Sequence, residues 1–354
     1  LVQNDITPFR ETGTLGADPF TTTSGSPNVS VADTAHGLSA GDTIIFSGAS
    51  AVAGVTMNGT WTVFTVTNAT AYVFVASSNA SASTTGGGAA VAYSYEVPVG
   101  TELGTTGLGW GVGGWGLSTW GTARSNSTIV FEPRVWSLDH FGKYLLASFN
   151  GGSIYSFDPS LSQPWGRAAL VDSSAPTDCR AMFVTPERFV MALRESMVVS
   201  WCSQGNYTIW TAATGNTANS RTLTEGTKLV GGRVLAPFVS LIWTDAAVYS
   251  FQYTGSQFVY NSSMIAKDCG LIGPNAAVTV NGIAYWMGQN NFLMYDGSVK
   301  PMPNVEDIRA YVYGTSNQPD PSINSQYGYQ CSAVYNPVFN EIEFHYTVTG
   351  QTSP

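Results

Sequence analysis

Five stretches of this chain share one pattern, and that repeat constrains the fold more than any other feature. LLASFNGGSIYSF (145–157), FVMALRESMVVSW (189–201), VSLIWTDAAVYSF (239–251), GIAYWMGQNNFLMY (282–295) and VYNPVFNEIEFHY (334–346) each place two apolar runs around a polar or glycine-containing turn. Such a pair of runs reads as a β-hairpin. Anchored on the second strand of each at Ile154, Val198, Val248, Phe292 and Ile342, the intervals are 44, 50, 44 and 50 residues. Repeats of about 40–50 residues with several strands per unit point to propeller blades. A single blade cannot bury its own faces, and packing blades around an axis does so. Regularly spaced hairpins also occur in sandwiches, which stay the alternative.

Composition agrees with strands and turns. Only 10 % of the 354 residues are charged, against about 25 % in ordinary domains. Long exposed helices need Lys and Glu, and one short helical turn is expected, at Glu306–Tyr313. Residues 29–96 alternate apolar residues with Thr and Ser, the period of half-buried strands, and read as a small inserted β module. The expected organisation is an N-terminal segment, 1–28, that joins the propeller; the module, 29–96; a Gly/Trp-rich connector, 97–128; and a β-propeller-like domain, 129–354. The fold class is all-β: a β-propeller-like repeat of hairpins with a small inserted module near the N-terminus. A sixth hairpin unit is expected either from the segment before the module or from beyond residue 354. The chain begins at Leu1 and ends Thr352-Ser353-Pro354, and it reads as trimmed from a longer one.

The net charge is −9 and no run of Lys or Arg occurs. Gripping nucleic acid requires clustered cations that release counterions, so ordinary DNA binding is disfavoured, while passive contact with DNA stays open. Cys179, Cys202, Cys269 and Cys331 are far apart and form no CxxC pair. They read as buried thiols, with one disulfide as the other option. No stretch of 18 apolar residues is present, so no membrane span is expected.

The segment GLGWGVGGWGLSTWG (107–121) contains GxGxxG twice, at Gly109-Gly111-Gly114 and Gly111-Gly113-Gly116. Glu132 and Asp139 even fall near the distance at which a dinucleotide site carries its acidic residue. That motif must open a helix after a strand, and glycine with tryptophan cannot start one here. Trp110, Trp115 and Trp120 recur every five residues. They read either as a sugar-stacking platform or as indoles that fill gaps between blades or subunits, with the second preferred. His36, His140 and His345 lie far apart without a metal-binding motif, so no metal and no cofactor are expected. Ser137-Leu138-Asp139-His140 reads as a local turn at a strand end. Asp139, Asp158, Asp172, Asp245 and Asp296 fall at strand ends or turns, where Asp caps backbone amides, and not as a glycosidase pair. The Asn-x-Ser/Thr triplets at Asn28, Asn58, Asn68, Asn79, Asn126, Asn206 and Asn261 are what chance yields in a chain rich in Asn, Ser and Thr. No catalytic residue is nominated and no enzyme is expected.

TAHGLSAGDTIIFSGASAVAGVTMNGTWTVFTVTNATAYVF (34–74), a TTGGG stretch, the Gly-Trp-Gly repeat and RVWSLDHFGKYLLASFNGGSIYSFD (134–158) follow one another. This order resembles the tail nozzle, or tail tubular (packaged-DNA stabilisation), proteins of short-tailed bacteriophages, from about residue 12 to 300. The HGLSxGD module is shared among many phage proteins; Trp136-Ser137-Leu138-Asp139 with the Gly151-Gly152 hairpin is the more specific part. The family's later platform regions have no counterpart in this sequence. The resemblance implies a structural virion protein, assembled in the bacterial host cytoplasm. Its expected state is a homo-hexameric ring below the portal and adaptor proteins, around the DNA-ejection channel. It implies that the ring helps retain packaged DNA, touches genomic DNA passively and carries tail fibres or spikes, without catalysis. The rival function is a carbohydrate-binding surface adhesin.

Overall fold

The computed structural model describes residues 5–98, 100, 133–160, 166–255, 258–314 and 322–354, and these fall into two compact units. The first comprises eight strands: β1 (Phe9–Leu15), β2 (Phe20–Thr22), β3 (Asn28–Ala32), β4 (Thr43–Ser47), β5 (Gly59–Asn68), β6 (Ala71–Val75), β7 (Thr84–Gly86) and β8 (Val91–Glu96). They form one antiparallel sheet in the order β1-β8-β4-β5-β6-β3-β2-β7. The period-2 pattern is realised literally: Val29 and Val31, Ile44 and Phe46, and Tyr72 and Phe74 point inward while their neighbours face out. Phe20 meets Phe46 edge-on at 5.1 Å and Phe74 at 6.4 Å, the geometry the ring quadrupoles favour.

This sheet corrects one expectation. The segment 1–28 is expected to join the propeller, but its described part, residues 5–28, supplies no propeller strand: β1 pairs with β8, and β2 pairs with β3 and β7. The apolar positions of β1 and β2, Leu15 and Phe20, belong to the module's core, which is what draws the segment there. A later stretch joins the same unit. Arg167 holds Asp5 at 2.5 Å and Glu96 at 2.7 Å, and Ala168 N–H donates to the Ile6 carbonyl at 3.0 Å.

The HGLSAGD motif proves to be a turn scaffold. His36 is buried, and its Nδ1 accepts the Leu38 N–H at 3.0 Å. The ring proton therefore sits on Nε2, which donates to the Asn68 carbonyl at 2.9 Å. Asp42 accepts the Ser39 N–H at 2.9 Å. Two polar side chains thus satisfy the backbone of a loop that would otherwise leave donors unpaired.

The second unit is a series of small antiparallel sheets. Sheet one contains β9 (Trp136–Phe141), β10 (Tyr144–Phe149), β11 (Ile154–Phe157) and β12 (Ala169–Leu170). Sheet two contains β13 (Cys179–Val184), β14 (Val190–Arg194), β15 (Val198–Trp201) and β16 (Asn219–Thr222). Sheet three contains β17 (Leu229–Ala236), β18 (Val239–Thr244), β19 (Ala247–Tyr253) and β20 (Tyr260–Lys267). Sheet four contains β21 (Ala277–Val280), β22 (Ile283–Met287), β23 (Phe292–Tyr295) and β24 (Val299–Pro301). Between the fourth and fifth sheets lies α1 (Glu306–Tyr313), where the short helix was expected. The fifth sheet is the pair β25 (Ser332–Asn336) and β26 (Glu341–His345).

In each sheet the strands pair in chain order, and the first strand lies beside the first strand of the next sheet: β9, β13, β17, β21, β25. That is the arrangement of propeller blades, with the five expected hairpins as the middle strands of four blades and the whole of the fifth. The blades are glued face to face. Trp243 of sheet three and Trp286 of sheet four are wholly buried and meet edge-on at 5.5 Å. Phe183, Phe189, Leu193, Val199, Ile242 and Phe251 fill the seam between sheets two and three. Each such side chain contributes about 1.5–3 kcal/mol by leaving water.

Candidate functional site

The inner strands β9, β13 and β17 frame two cavities, of about 320 and 430 Å³, that share Asp139, Val184 and Val234, one residue from each strand. On β9, Trp136, Leu138 and His140 are exposed, while Ser137 and Asp139 on the other face are half-buried. One carboxylate oxygen of Asp139 accepts the Val184 N–H of β13 at 2.7 Å, and the other accepts the His140 N–H at 2.8 Å. Asp139 thus joins the first strand of one blade to that of the next. Charge-assisted bonds of this kind are stronger than neutral ones.

Arg233, on β17, lines the smaller cavity. Its guanidinium donates to the carbonyls of Gly232 at 2.8 Å, Pro274 at 3.1 Å and Ala277 at 3.2 Å, and to Asn275 Oδ1 at 3.3 Å. It clamps sheet three to sheet four from within. Burial lowers its pKa, and the charge of Asp139 opposes that shift.

The same inner strands crowd one another, which explains a local sequence choice. A Cβ on Gly232 would stand 2.3 Å from the Phe183 ring, and one on Gly231 would meet the Pro274 carbonyl oxygen at 3.0 Å. Gly231-Gly232 lets β17 approach its neighbours where the blades converge.

In the larger cavity, Thr185 accepts the Phe189 N–H at 3.3 Å, and its hydroxyl lies 3.3 Å from the Tyr260 hydroxyl. His140 Nδ1 lies 3.4 Å from Asp139, with its ring in solvent. The polar groups of this centre are directed chiefly at the protein's own backbone, an arrangement that braces strands.

The other singled-out residues do not converge on this centre. Ser137-Leu138-Asp139-His140 is not a strand-end turn but the middle of β9, because Asp139 is needed opposite the Val184 N–H. Asp158 and Asp172 do cap turns, accepting the N–H of Ser160 at 2.9 Å and of Ser174 at 2.8 Å. Asp245, in the β18–β19 turn, accepts the N–H of Thr227, just before β17, at 2.7 Å, and Asp296 pairs with Lys300. His345, on β26, lies 3.8 Å from Glu343, far in sequence from the other histidines. Among the described residues, no three His, Cys, Asp or Glu side chains gather as a metal site. All four cysteines are buried free thiols. Asn58, Asn68 and Asn206 of the Asn-x-Ser/Thr triplets hold local backbone: Asn58 clasps both the N–H and the carbonyl of Ala49 at 2.8 Å. No described helix is long and apolar enough to cross a membrane.

Trp110, Trp115, Trp120, both GxGxxG runs, Glu132, Asn126 and nearly all of the 97–128 connector lie outside the described residues. Sequence reasoning missed Arg233, because an isolated Arg in an apolar strand carries no motif. The Gly231-Gly232 pair beside it was the available signal of close backbone approach.

No protein-family model matches the chain, and no curated protein sequence matches it. Among solved structures, the phage phi92 endosialidase is similar at 11 % identity and TM-score 0.30, over 98 % of this chain and 59 % of that one. BamB from Moraxella catarrhalis is similar at 11 % identity and TM-score 0.31, over 46 % of this chain and 45 % of that one. The chain thus spans less than two thirds of the length of either. Resemblance this slight adds nothing to what its own sheets establish: an all-β, β-propeller-like chain with a small separate β module.

Proposed function

We propose that this chain is a structural virion protein, a subunit of the tail nozzle ring of a short-tailed bacteriophage. Six copies surround the DNA-ejection channel, meet the adaptor and portal on one side and anchor fibres or spikes on the other. The observation that carries this reading is the Trp136–Asp139 block with its Gly151-Gly152 hairpin. It resembles the nozzle family in sequence, and it forms the inner strand and the middle hairpin of the first blade. The side chain at its centre, Asp139, is a joint between blades, as a part that bears load requires.

Charge supports the same reading. The chain carries −9, and many of its cations face carboxylates: Lys143 with Asp158, Arg194 with Asp178, Lys267 with Glu225, Lys300 with Asp296. A wall of this kind lets DNA slide past without adhering. The role is mechanical and needs no turnover.

Phage particles assembled without this chain test the proposal. They should fill with DNA and then lose it, and supplying the chain in trans should restore retention. Particles that lack the chain yet remain full and infectious would refute it.

A further inference from the structure

Sheets two and three are packed tightly near their inner strands and part at their outer ones. Between the outer strands β16 and β20 lies a groove of about 420 Å³. Strand register explains its lining. Arg221 pairs with Val199 and Asn219 with Trp201, so both project on the face that turns toward sheet three. Ser262 pairs with Phe251 and therefore projects from the opposite wall.

The floor offers carbon. Trp201 donates its indole N–H inward to the Thr217 carbonyl at 3.0 Å, and the Tyr260 hydroxyl is held by Thr185. At the rim stands Phe258, which is 77 % exposed. The walls offer hydroxyls, primary amides and one guanidinium. Arg221 is exposed and has no ion pair among the described residues.

We propose that this groove binds a carboxylated oligosaccharide. An exposed aromatic ring suits the C–H face of a sugar, amides and hydroxyls suit its hydroxyl groups, and an Arg without an ion pair among the described residues suits a carboxylate bidentately. A neutral glycan would leave Arg221 without a partner. The site is independent of the nozzle reading, since it is argued from the outer strands β16 and β20 of this chain alone.

The test is titration calorimetry of the purified chain with hexagalacturonate, its neutral counterpart maltohexaose, and hexaglutamate. Saturable binding of hexagalacturonate is expected, at least ten-fold tighter than either of the others. Arg221→Gln should weaken it about ten-fold, the loss of a charge-assisted pair. Phe258→Ala should weaken it comparably. Both side chains are exposed, so the near-ultraviolet spectrum should stay that of the parent. Failure of hexagalacturonate to bind, equal binding of maltohexaose, or binding indifferent to both substitutions would overturn the proposal. Equally tight hexaglutamate would reassign the groove to acidic peptides and overturn it as well.

Discussion

Replacing Gly232 by Ala is the sharpest probe of how the inner strands are fitted together. A methyl there would lie 2.3 Å from Phe183 Cε1 and 2.9 Å from Cδ1. Carbon atoms in contact sit about 3.5–4.0 Å apart, so the ring must move by an ångström or more. It has little room, being 7 % exposed and packed in the seam between sheets two and three. The backbone at Gly232 has no positive φ, so alanine brings no conformational strain of its own. The cost is therefore the clash alone, about 1–3 kcal/mol for an overpacked core. Phe183→Ala by itself should cost about 3–5 kcal/mol. In the double variant the methyl occupies space the ring has left, so the two costs should sum to less than their parts by about 1–3 kcal/mol. Urea unfolding followed by tryptophan fluorescence reads the totals. Hydrogen exchange of β17 and β18 assigns the change to sheet three, because two units need not unfold together. Costs that add to within about 0.5 kcal/mol would show that the ring and the methyl never compete, and the packing account would fail.

Other expectations follow from the same contacts. Burial pushes the thiols of Cys179, Cys202 and Cys331 up to about 12 and that of Cys269 to about 11. A thiol-specific disulfide reagent at pH 8 should therefore label none of the four in the folded chain and all four in guanidinium; rapid labelling of the native protein would contradict this. Burial raises the Asp245 carboxyl, but hydrogen bonds from Thr227 and Lys228 outweigh it and leave the pKa lowered. Its stabilisation is therefore complete above the ordinary carboxylate pKa and lost as pH falls through the lowered one. The melting temperature of Asp245→Asn should drop less between pH 5 and 2.5 than that of the parent, and parallel losses would refute the assignment. Arg167→Ala leaves Glu96 buried without its partner and should cost about 3–5 kcal/mol. Proteolysis should then open the 166–169 stretch first; unchanged protection there would rule out the clamp.

The five hairpins were legible because each carries its signal locally: alternating or continuous apolar runs and a turn between them. The short helix at Glu306–Tyr313 was legible for the same reason. The outer strands were not. Asn219–Thr222 is polar and exposed along its whole length, and only its hydrogen bonds to β15 make it a strand. The partnership of residues 9–22 with the module was hidden too, since β1 meets β8 across some eighty residues of chain. Periodicity tells which face of a strand is buried, not which strand lies beside it. At the centre, Trp136–Asp139 stood out by its resemblance, yet the work of Asp139 depends on where Val184 comes to rest. Arg233 is harder still, because its partners are backbone carbonyls and one Asn side chain, which leave no mark in a sequence.

Electron microscopy of purified tails, with symmetry assigned from end-on views, tests the central claim most directly. The account predicts a six-fold ring on the tail axis, each subunit showing a row of blade-like sheets and a separate small module. This chain found as a free monomer, absent from every particle, would contradict it.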